Sequence, residues 1–167
     1  GYKVEVVDDL SNGTLDSIKE LNVRSVPLAL LSHYLKSQRE ECDVLCIHGD
    51  FADIQVLSRI AEKKYDVVFH FAAFINNEES IRNPKKYYEN NFLKGKIFFE
   101  NCIKYKLNSI IYSSTAAVYG NKNKKVNEKK NLNPMSAYPK SKLKLENFLK
   151  RKRKIISCII LRYFNVA

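Results

Sequence analysis

The sequence of 167 residues lacks the features that mark several specialised classes of protein. No apolar run approaches the roughly 20 residues needed to cross a bilayer, and residues 1–4 do not begin the long apolar core of a signal peptide. The sequence has no internal repeat at solenoid periods and no low-complexity linker. These absences predict a soluble, cytoplasmic protein. Its 45% hydrophobic content is enough to bury one sizeable core.

Cysteine is scarce, and its spacing argues against a metal site. The four cysteines are Cys42, Cys46, Cys102 and Cys158, and all lie in apolar surroundings. Cys42 and Cys46 have no second pair of Cys or His residues that would complete a zinc site. We therefore expect reduced thiols in or near the core and no bound metal.

Acidic residues are few relative to basic ones. The chain has 29 Lys plus Arg against 18 Asp plus Glu, a net charge of +11 that suits nucleic acid, anionic lipid or a phosphorylated small molecule. The strongest basic run, residues 150–154, closes a predicted helix, where the helix dipole favours cations. A solvated helix end is therefore favoured over a nucleic-acid patch, and no specific nucleic-acid partner is expected.

Five short apolar runs indicate buried strands, because their continuous apolarity is typical of strands covered on both faces. Predicted helices separate most of these strands. The first has helical spacing over residues 53–63, the second begins with an N-cap and proline pattern at Asn83-Pro84 and reaches about Tyr105, and the third runs from about Ser136 to about Lys150. Strands alternating with such helices predict an α/β fold with a doubly wound parallel sheet. The five predicted strands are residues 3–7, 44–48, 67–71, 109–113 and 155–161.

Two segments do not fit this alternation. Residues 21–42 are expected to contain an extra helix through residues 28–35, and the Lys- and Asn-rich residues 121–134 are expected to form a solvated loop. Both chain ends are interpreted as cut, because Gly1 leads directly into a strand and residues 165–167 follow a strand with no closing element.

An acidic turn follows the first predicted strand. The segment from Asp8 to Gly13 reads Asp-Asp-Leu-Ser-Asn-Gly. An acidic side chain at the carboxyl end of the second strand of a dinucleotide fold accepts both hydroxyls of the adenosine ribose and repels the extra phosphate of NADP. Asp8 is the candidate for this role, although the same residues are also ordinary turn formers.

The next two strands also end in small or polar residues. Asp50 and Phe51 follow the second strand, and Phe71, Ala72 and Ala73 close the third. Ligands of such sheets bind at the carboxyl edge. Asp50 could accept the adenine amino group there, and residues 71–73 would let a cofactor approach the backbone. Tight helix packing explains the alanine pair equally well.

A hydroxyl cluster and a Tyr-Lys pair come last. Residues 113–120 read Ser-Ser-Thr-Ala-Ala-Val-Tyr-Gly, and the hydroxyls of Ser113 and Thr115 can bond a substrate oxygen or simply form a turn. Tyr138 and Lys142 open the last helix four residues apart, on one face. A nearby cation favours the phenolate, which makes tyrosine usable as a base near neutral pH.

Taken in order, seven segments carry a family resemblance that is highly specific as a set and covers nearly the whole chain outside residues 21–42. The chain resembles the extended short-chain dehydrogenase/reductase family, and within it the UDP-glucose 4-epimerases. The segments are VVDDLSNG, HGD, HFAA, NPKKYYENN, SSTAAVYG, YPKSK and LRYFN.

The resemblance implies a Rossmann-like fold, NAD as cofactor, a UDP-sugar substrate and, for the full-length enzyme, a homodimer. It implies that residues 1–167 are part of an NAD-binding domain whose first strand and Gly-rich loop would precede Gly1 and whose substrate-binding domain would follow. The fragment alone is then expected to be inactive, with a gap or an abnormal pairing between its first and third predicted strands, which would flank the missing strand.

The resemblance also implies roles for individual residues. Tyr138 is the expected proton acceptor, Thr115 orders the sugar 4-hydroxyl, and Lys142 holds the nicotinamide ribose while tuning Tyr138. Asn165 corresponds to a position that touches the nucleotide sugar. The residues expected to line NAD are Asp8, Asn12, Asp50, Phe51, Phe71, Ala72, Ala73, Asn90, Ser113, Lys142, Tyr163 and Phe164.

Alternatives within and outside the family remain. A nucleotide-sugar 4,6-dehydratase would need an acidic pair where this chain has Ala116 and Ala117, which cannot transfer protons. Epimerases of UDP-N-acetylhexosamine or UDP-hexuronate stay open, and so does a non-catalytic basic binding module. The chain departs from the family at Ile75, where some members have a lysine, and after Asn91, where Lys94 and Gly95 replace an Asn-Gly-Thr-like stretch.

Overall fold

A computed structural model describes residues 2–37, 42–107, 109–120 and 125–164. The chain forms two compact units, Gly1–Arg59 and Ile60–Ala167, and each is described by itself. Within the described ranges, none of the helices combines the length and the apolarity that crossing a bilayer requires. The four cysteines are free thiols, Cys46 and Cys102 buried and Cys42 and Cys158 partly buried, as predicted.

The first unit contains a three-stranded parallel sheet. Its strands are β1 (Val4–Asp8), β2 (Val23–Pro27) and β3 (Val44–His48), in the order β1-β3-β2. The central strand β3 is buried along Val44–Ile47, so here the prediction of a strand covered on both faces is confirmed. The core of the unit consists of Val26, Leu31, Leu45 and Ile47, packed against Val7, Leu28, Tyr34 and Cys42.

Short helices connect these strands. A 3-10 helix (Leu15–Ile18) begins after Thr14, whose hydroxyl accepts a hydrogen bond from the amide of Asp16. A second 3-10 helix (Leu28–Leu30) continues into α1 (Leu31–Ser37), which confirms the extra helix predicted for residues 28–35. Helix α2 (Ile54–Glu62) follows β3 within the predicted range.

Strand β2 was not predicted. Its sequence, Val-Arg-Ser-Val-Pro, has only two β-branched residues and ends in proline, which rarely occurs in a central strand. The strand pairs with β3 alone, at the edge of its sheet, where one row of backbone groups needs no ladder partner. An edge position therefore tolerates a composition that period and propensity do not identify as a strand.

The second unit contains its own three-stranded parallel sheet. The strands β4 (Val68–His70), β5 (Ser109–Thr115) and β6 (Ser157–Tyr163) lie in sequence order, with β5 in the middle. The prediction that all strands run parallel is confirmed in both sheets. β1 and β4, which were expected to flank a missing strand, belong to different sheets.

The helices of the second unit are more broken than predicted. The helix expected from Pro84 to about Tyr105 has three parts, since a π-helical segment interrupts it, and a short helix precedes it. Helix α6 agrees with the prediction to within about one residue. The elements are α3 (Asn77–Arg82), α4 (Pro84–Tyr87), a π-helical segment (Tyr88–Lys94), α5 (Gly95–Lys104), a 3-10 helix (Ala116–Tyr119) and α6 (Ala137–Arg151).

The prediction that every strand is covered on both faces is wrong for β1, β4 and β6, and no residue of β1 is buried. Phe69 is 56% exposed and Ile159 is 55% exposed, and exposure alternates along β6. The apolar run of β6 is continuous in sequence, but only alternate side chains of a strand point to the same face. Continuous apolarity therefore does not establish that both faces are covered in this structure.

An aromatic cluster and one glycine bring the elements of the second unit close together. His70 packs on Phe98, Phe99 and Tyr112, with ring centroids 4.9–5.9 Å apart. Burial, and secondarily the charge of Lys142, lowers the pKa of His70 to about 3, so the imidazole is neutral at physiological pH. Gly95 opens α5 against α6, where a Cβ atom would lie only 2.6 Å from a methyl carbon of Leu145.

A buried carboxylate joins α6 to two strands. Glu146 is fully buried and accepts hydrogen bonds from Ser114 of β5, from Nε and Nη2 of Arg162 of β6 (3.0 and 2.7 Å), and from Lys150 (3.0 Å). Burial alone would raise the pKa of Glu146, but these hydrogen bonds hold the pKa below its usual value. Arg162 also donates to the hydroxyl of Tyr119 at 2.8 Å. The carboxylate is therefore charged, and both of its oxygens accept hydrogen bonds.

We expect Glu146→Gln to destabilise the complete protein by about 3 kcal/mol, because it leaves the largely buried Arg162 guanidinium without its counter-charge. Urea denaturation measures the effect. The matched control is Glu100→Gln, which removes an exposed pair with Lys96 at 3.5 Å and is expected to cost less than about 0.5 kcal/mol. Equal losses for the two variants would contradict the assignment of Glu146 as the main polar link of this unit.

Candidate active site

The predicted site residues fall into two groups, one in each unit. Asp8, Asn12, Asp50 and Phe51 lie in the first unit, and the remaining described candidates lie in the second. Asn165 lies outside the described residues. Most candidates lie at or just after the carboxyl ends of parallel strands, which end at a common edge of each sheet. Asn90, Tyr138 and Lys142 lie on helical segments instead.

The turn after β1 presents Asp8 to solvent. The Oδ1 atom of Asp8 accepts a hydrogen bond from the amide of Leu10 at 2.7 Å, and Leu10 has a positive φ of 56°. Next to it, Asp9 accepts from the amide of Ser11 at 2.9 Å. Such bonds are typical of aspartate in turns. The side chain of Asp8 is exposed, so its role in the turn leaves it accessible to a ligand hydroxyl.

Asp50 is held in a similar turn after β3. Its Oδ1 atom accepts from the amide of Ala52 at 2.9 Å, and its carbonyl accepts from the amide of Asp53 at 3.0 Å. The neighbouring Gly49 donates its amide to the carbonyl of Asp8 at 2.9 Å, so the two turns meet at one edge of the sheet. Asn12 is exposed and Phe51 is partly buried.

In the second unit, Lys142 is the most constrained candidate. It is 2% exposed, its Nζ atom donates to the carbonyl of Ser113 at 2.8 Å, and it lies 5.2 Å from the ring centroid of Tyr112. Burial lowers the pKa of Lys142 to about 7. An ammonium has three donors, so bonding to Ser113 leaves others for a ligand. The last helix therefore contacts the strand end that carries the hydroxyl cluster.

Thr115 and Tyr138 lie close to this pair in sequence, two residues after Ser113 and four residues before Lys142 respectively. Thr115 caps the 3-10 helix after β5, since its hydroxyl oxygen accepts from the amide of Ala117 at 3.2 Å, and its O–H stays available as a donor. Tyr138, in the first turn of α6, is partly buried and meets the ring of Tyr87 edge-on at 6.5 Å.

The remaining candidates are placed less tightly. Phe71 is 58% exposed and Phe164 is 65% exposed, so neither is held in the core of the unit. Ala72 and Ala73 are partly buried after β4, Asn90 is partly buried in the π-helical segment, and Tyr163 ends β6.

Several residues at this site were missed by sequence reasoning. Tyr87 is fully buried, and its hydroxyl donates to Glu79 at 2.8 Å. Ser136, directly before α6, donates to the side chain of Asn77. Asn91 bonds both the backbone after β4 and α6. For Asn91 the sequence did offer a signal, the Asn-Asn doublet inside a predicted helix. Asparagine is a poor helix former, so its presence there indicates a role for its side chain.

Burial of Lys142 makes stability depend on pH. Below about pH 7 Lys142 is charged in both states, and the folded protein bears the cost of burying an ammonium. Between about pH 7 and the higher pKa of lysine in the unfolded chain, only the unfolded state carries the proton. The contribution of Lys142 to the free energy of unfolding therefore rises with pH across this range. We expect Lys142→Met to flatten this rise, with its stability relative to the parent highest at pH 6 and falling towards pH 9. Chemical denaturation across pH measures it. Lys144→Met, an exposed lysine of the same helix, serves as the control, and an unchanged slope for Lys142→Met would contradict the argument.

The chain is similar in sequence to known nucleotide-sugar 4-epimerases. The chain is 32% identical over 170 residues to a UDP-glucose 4-epimerase of Cyamopsis tetragonoloba, covering 99% of this chain and 45% of the relative. It is also 32% identical to a putative UDP-arabinose 4-epimerase of Arabidopsis thaliana, again over 99% of this chain but 37% of the relative. The chain thus spans less than half the length of these curated relatives.

Solved structures are similar as well. The UDP-Glc/GlcNAc 4-epimerase of Campylobacter jejuni superposes with a TM-score of 0.77 at 32% identity, over 99% of this chain and 46% of that one. A UDP-glucose 4-epimerase of Bifidobacterium longum in complex with NAD+ and UDP has a TM-score of 0.73 at 26% identity, over 98% and 53%. The model of the NAD dependent epimerase/dehydratase family matches residues 14–167, and the chain belongs to that family.

Proposed function

We propose that the complete protein is an NAD-dependent epimerase that inverts C4 of a UDP-hexose, interconverting UDP-glucose and UDP-galactose through a transient 4-keto sugar. The observation that carries the proposal is the buried Lys142, which bonds the carbonyl of Ser113 beside Thr115 and lies one helical turn after Tyr138. The similarity to UDP-sugar 4-epimerases supports it.

The described residues fit NAD. The exposed carboxylate of Asp8 is an acceptor suited to the two hydroxyls of a ribose, and the donors of Lys142 that Ser113 does not use suit the other ribose. Bound NAD would accept the hydride from C4 of the sugar and return it to the opposite face. The remaining residues proposed to line NAD are Asn12, Asp50, Phe51, Phe71, Ala72, Ala73, Asn90, Ser113, Tyr163 and Phe164.

In this proposal Tyr138 transfers the proton. As its phenolate it takes the proton of the sugar 4-hydroxyl when hydride leaves C4, and it returns that proton when hydride adds back, so the tyrosine ends each cycle unchanged. Thr115, whose O–H is free to donate, orients the same sugar oxygen. Asn165 is proposed to contact the nucleotide sugar.

Elimination of water, as in a 4,6-dehydratase, is disfavoured. Ala116 and Ala117, at the start of the 3-10 helix after β5, supply no proton donor or acceptor in their side chains. Among epimerase substrates, relatives named for UDP-arabinose and UDP-N-acetylglucosamine make those sugars the first alternatives to UDP-glucose. Turnover of a panel of UDP-hexoses, UDP-pentoses and UDP-N-acetylhexosamines by the complete protein distinguishes them. Its size in solution tests the homodimer that we also propose.

Tyr138→Phe is expected to retain NAD binding and to reduce epimerisation by roughly 10²–10⁴-fold, because only the hydroxyl that moves the proton is lost. Coupled assay of UDP-galactose conversion, together with NAD titration, measures both. Tyr105→Phe, at the exposed end of α5, is the matched control and should be fully active. Near-normal turnover by the Tyr138 variant would refute the assigned base.

Asp8→Ser is expected to narrow the ratio of NAD to NADP affinity, because the lost carboxylate no longer repels the 2′-phosphate. Calorimetric titration of both cofactors into the complete protein gives the ratio. Asp43→Ser removes an exposed carboxylate just before β3, at the opposite edge of the same sheet, and should leave the ratio unchanged. If both variants keep the parent ratio, Asp8 is a turn residue only.

A further inference from the structure

The side chain of Tyr112 contacts Lys142 at two points. Tyr112 lies in the middle of β5 and is fully buried. The Nζ atom of Lys142 lies over its ring, 5.2 Å from the ring centroid, and the Tyr112 hydroxyl donates to the main-chain carbonyl of the same lysine at 3.3 Å. One side chain of the sheet therefore meets both the charged end and the backbone of the lysine.

Two aromatic neighbours hold the ring of Tyr112 in place. His70 stacks nearly parallel to it, with centroids 5.9 Å apart and planes 19° apart, and the buried ring of Phe99 meets it edge-on at 6.0 Å. Because burial lowers the pKa of His70 to about 3, this imidazole is neutral and does not repel the nearby ammonium. In a close-packed core the ring of Tyr112 cannot turn away from Lys142 without displacing these neighbours.

The other charged groups around Lys142 have different partners. Glu146, one turn further along α6, bonds Arg162 of β6 and two further donors, and Tyr138 lies one turn earlier on the same helix. Within the described residues no carboxylate bonds Nζ of Lys142, and its contacts are the carbonyl of Ser113 and the ring of Tyr112. The charge of this lysine is therefore balanced by a dipole and an aromatic face.

The face of an aromatic ring carries partial negative charge and attracts a cation, more strongly where water is excluded. Lys142 is 2% exposed, so the ring and the carbonyl replace most of the hydration of its ammonium. Burial by itself favours the neutral amine, which makes the charged form dependent on these two partners. Core packing alone requires an apolar ring at position 112 but does not require that ring to face an ammonium.

We propose that Tyr112 is a positioning residue for Lys142: its ring stabilises the ammonium beside Ser113, and its hydroxyl fixes the ring against α6. This role rests on the proposed function, in which Lys142 holds the nicotinamide ribose. The ammonium has three donors, of which Ser113 uses one, so the charged form keeps two for the ribose hydroxyls. Tyr112 thus supports cofactor binding without touching the cofactor.

Substitutions of the ring in the complete protein test this role. Tyr112→Leu removes the aromatic face, so the pKa of Lys142, about 7 in the parent, should fall by about one unit. Tyr112→Phe keeps the ring and should restore the parent pKa. Phe99→Leu is the matched control, because it removes a buried ring of the same cluster that meets Tyr112 by its edge. NMR titration of isotope-labelled lysine measures the pKa, with the signal assigned by its loss in Lys142→Met.

Cofactor binding gives a second readout. A pKa lower by about one unit reduces the ammonium fraction at pH 7 from about a half to about a tenth. Tyr112→Leu should therefore bind NAD about 5-fold more weakly than the parent at pH 7 and equally well near pH 5, where both proteins carry the ammonium. Calorimetric titration at the two pH values measures the ratio, and a loss of the same size at both would contradict the role of the charge.

A series of fluorinated phenylalanines at position 112 keeps the shape of the ring while weakening its negative face, so it tests the ring without a cavity. The pKa of Lys142 should fall stepwise along the series. If Tyr112→Leu only lowers Tm, and the pKa of Lys142 stays at the parent value there and across the series, the inference is overturned. Failure of the parent to bind NAD would refute the proposed function, whereas the lysine titration decides the role of Tyr112 in either case.

Discussion

The carboxylate of Glu146 is the interaction on which the second unit depends. A fully buried charge is tolerated only when hydrogen bonds and opposite charges replace its lost hydration, and here the donors come from β5, from β6 and from α6 itself. Because three separate elements must be in register to satisfy it, the carboxylate selects one arrangement of helix against sheet. An apolar contact of the same size would tolerate more sliding.

Helix α6 carries both Glu146 and two of the candidate site residues. Tyr138, Lys142 and Glu146 are spaced four residues apart and so lie on one stripe of α6. The hydrogen bonds of Glu146 determine how this face of α6 packs against the sheet. One of them comes from Ser114, which lies between Ser113 and Thr115. The bond between Ser114 and Glu146 therefore helps to hold both β5 and α6 in place around the contact of Lys142 with the carbonyl of Ser113. The buried lysine has a pKa of about 7 because it is desolvated in this contact.

The elements of the fold could be predicted where one physical signal was strong. β3 and α6 were predicted well, since one is a short run of buried β-branched and aliphatic residues and the other has a long helical period with an N-cap serine. β2 and α3 were not predicted, because an edge strand and a helix of six residues depend on their neighbours more than on their own composition. The π-helical segment carries helix-like periodicity and differs from an α-helix only in its hydrogen bonds.

The sequence by itself determined the strand ends at which the candidate site residues lie, the Tyr138–Lys142 spacing and the family, because these are local patterns and their order along the chain. Only the tertiary structure decided that Lys142 is buried on the carbonyl of Ser113, that Asn91 joins Phe74 to Ser141, and that Glu146 draws donors from three elements. Apart from Lys150, which lies four residues from Glu146 on the same helix, the partners in these contacts lie 16 to 50 residues apart in sequence. Local propensity carries no information about such pairings, because the free energy of each depends on burial that exists only once the elements have packed together.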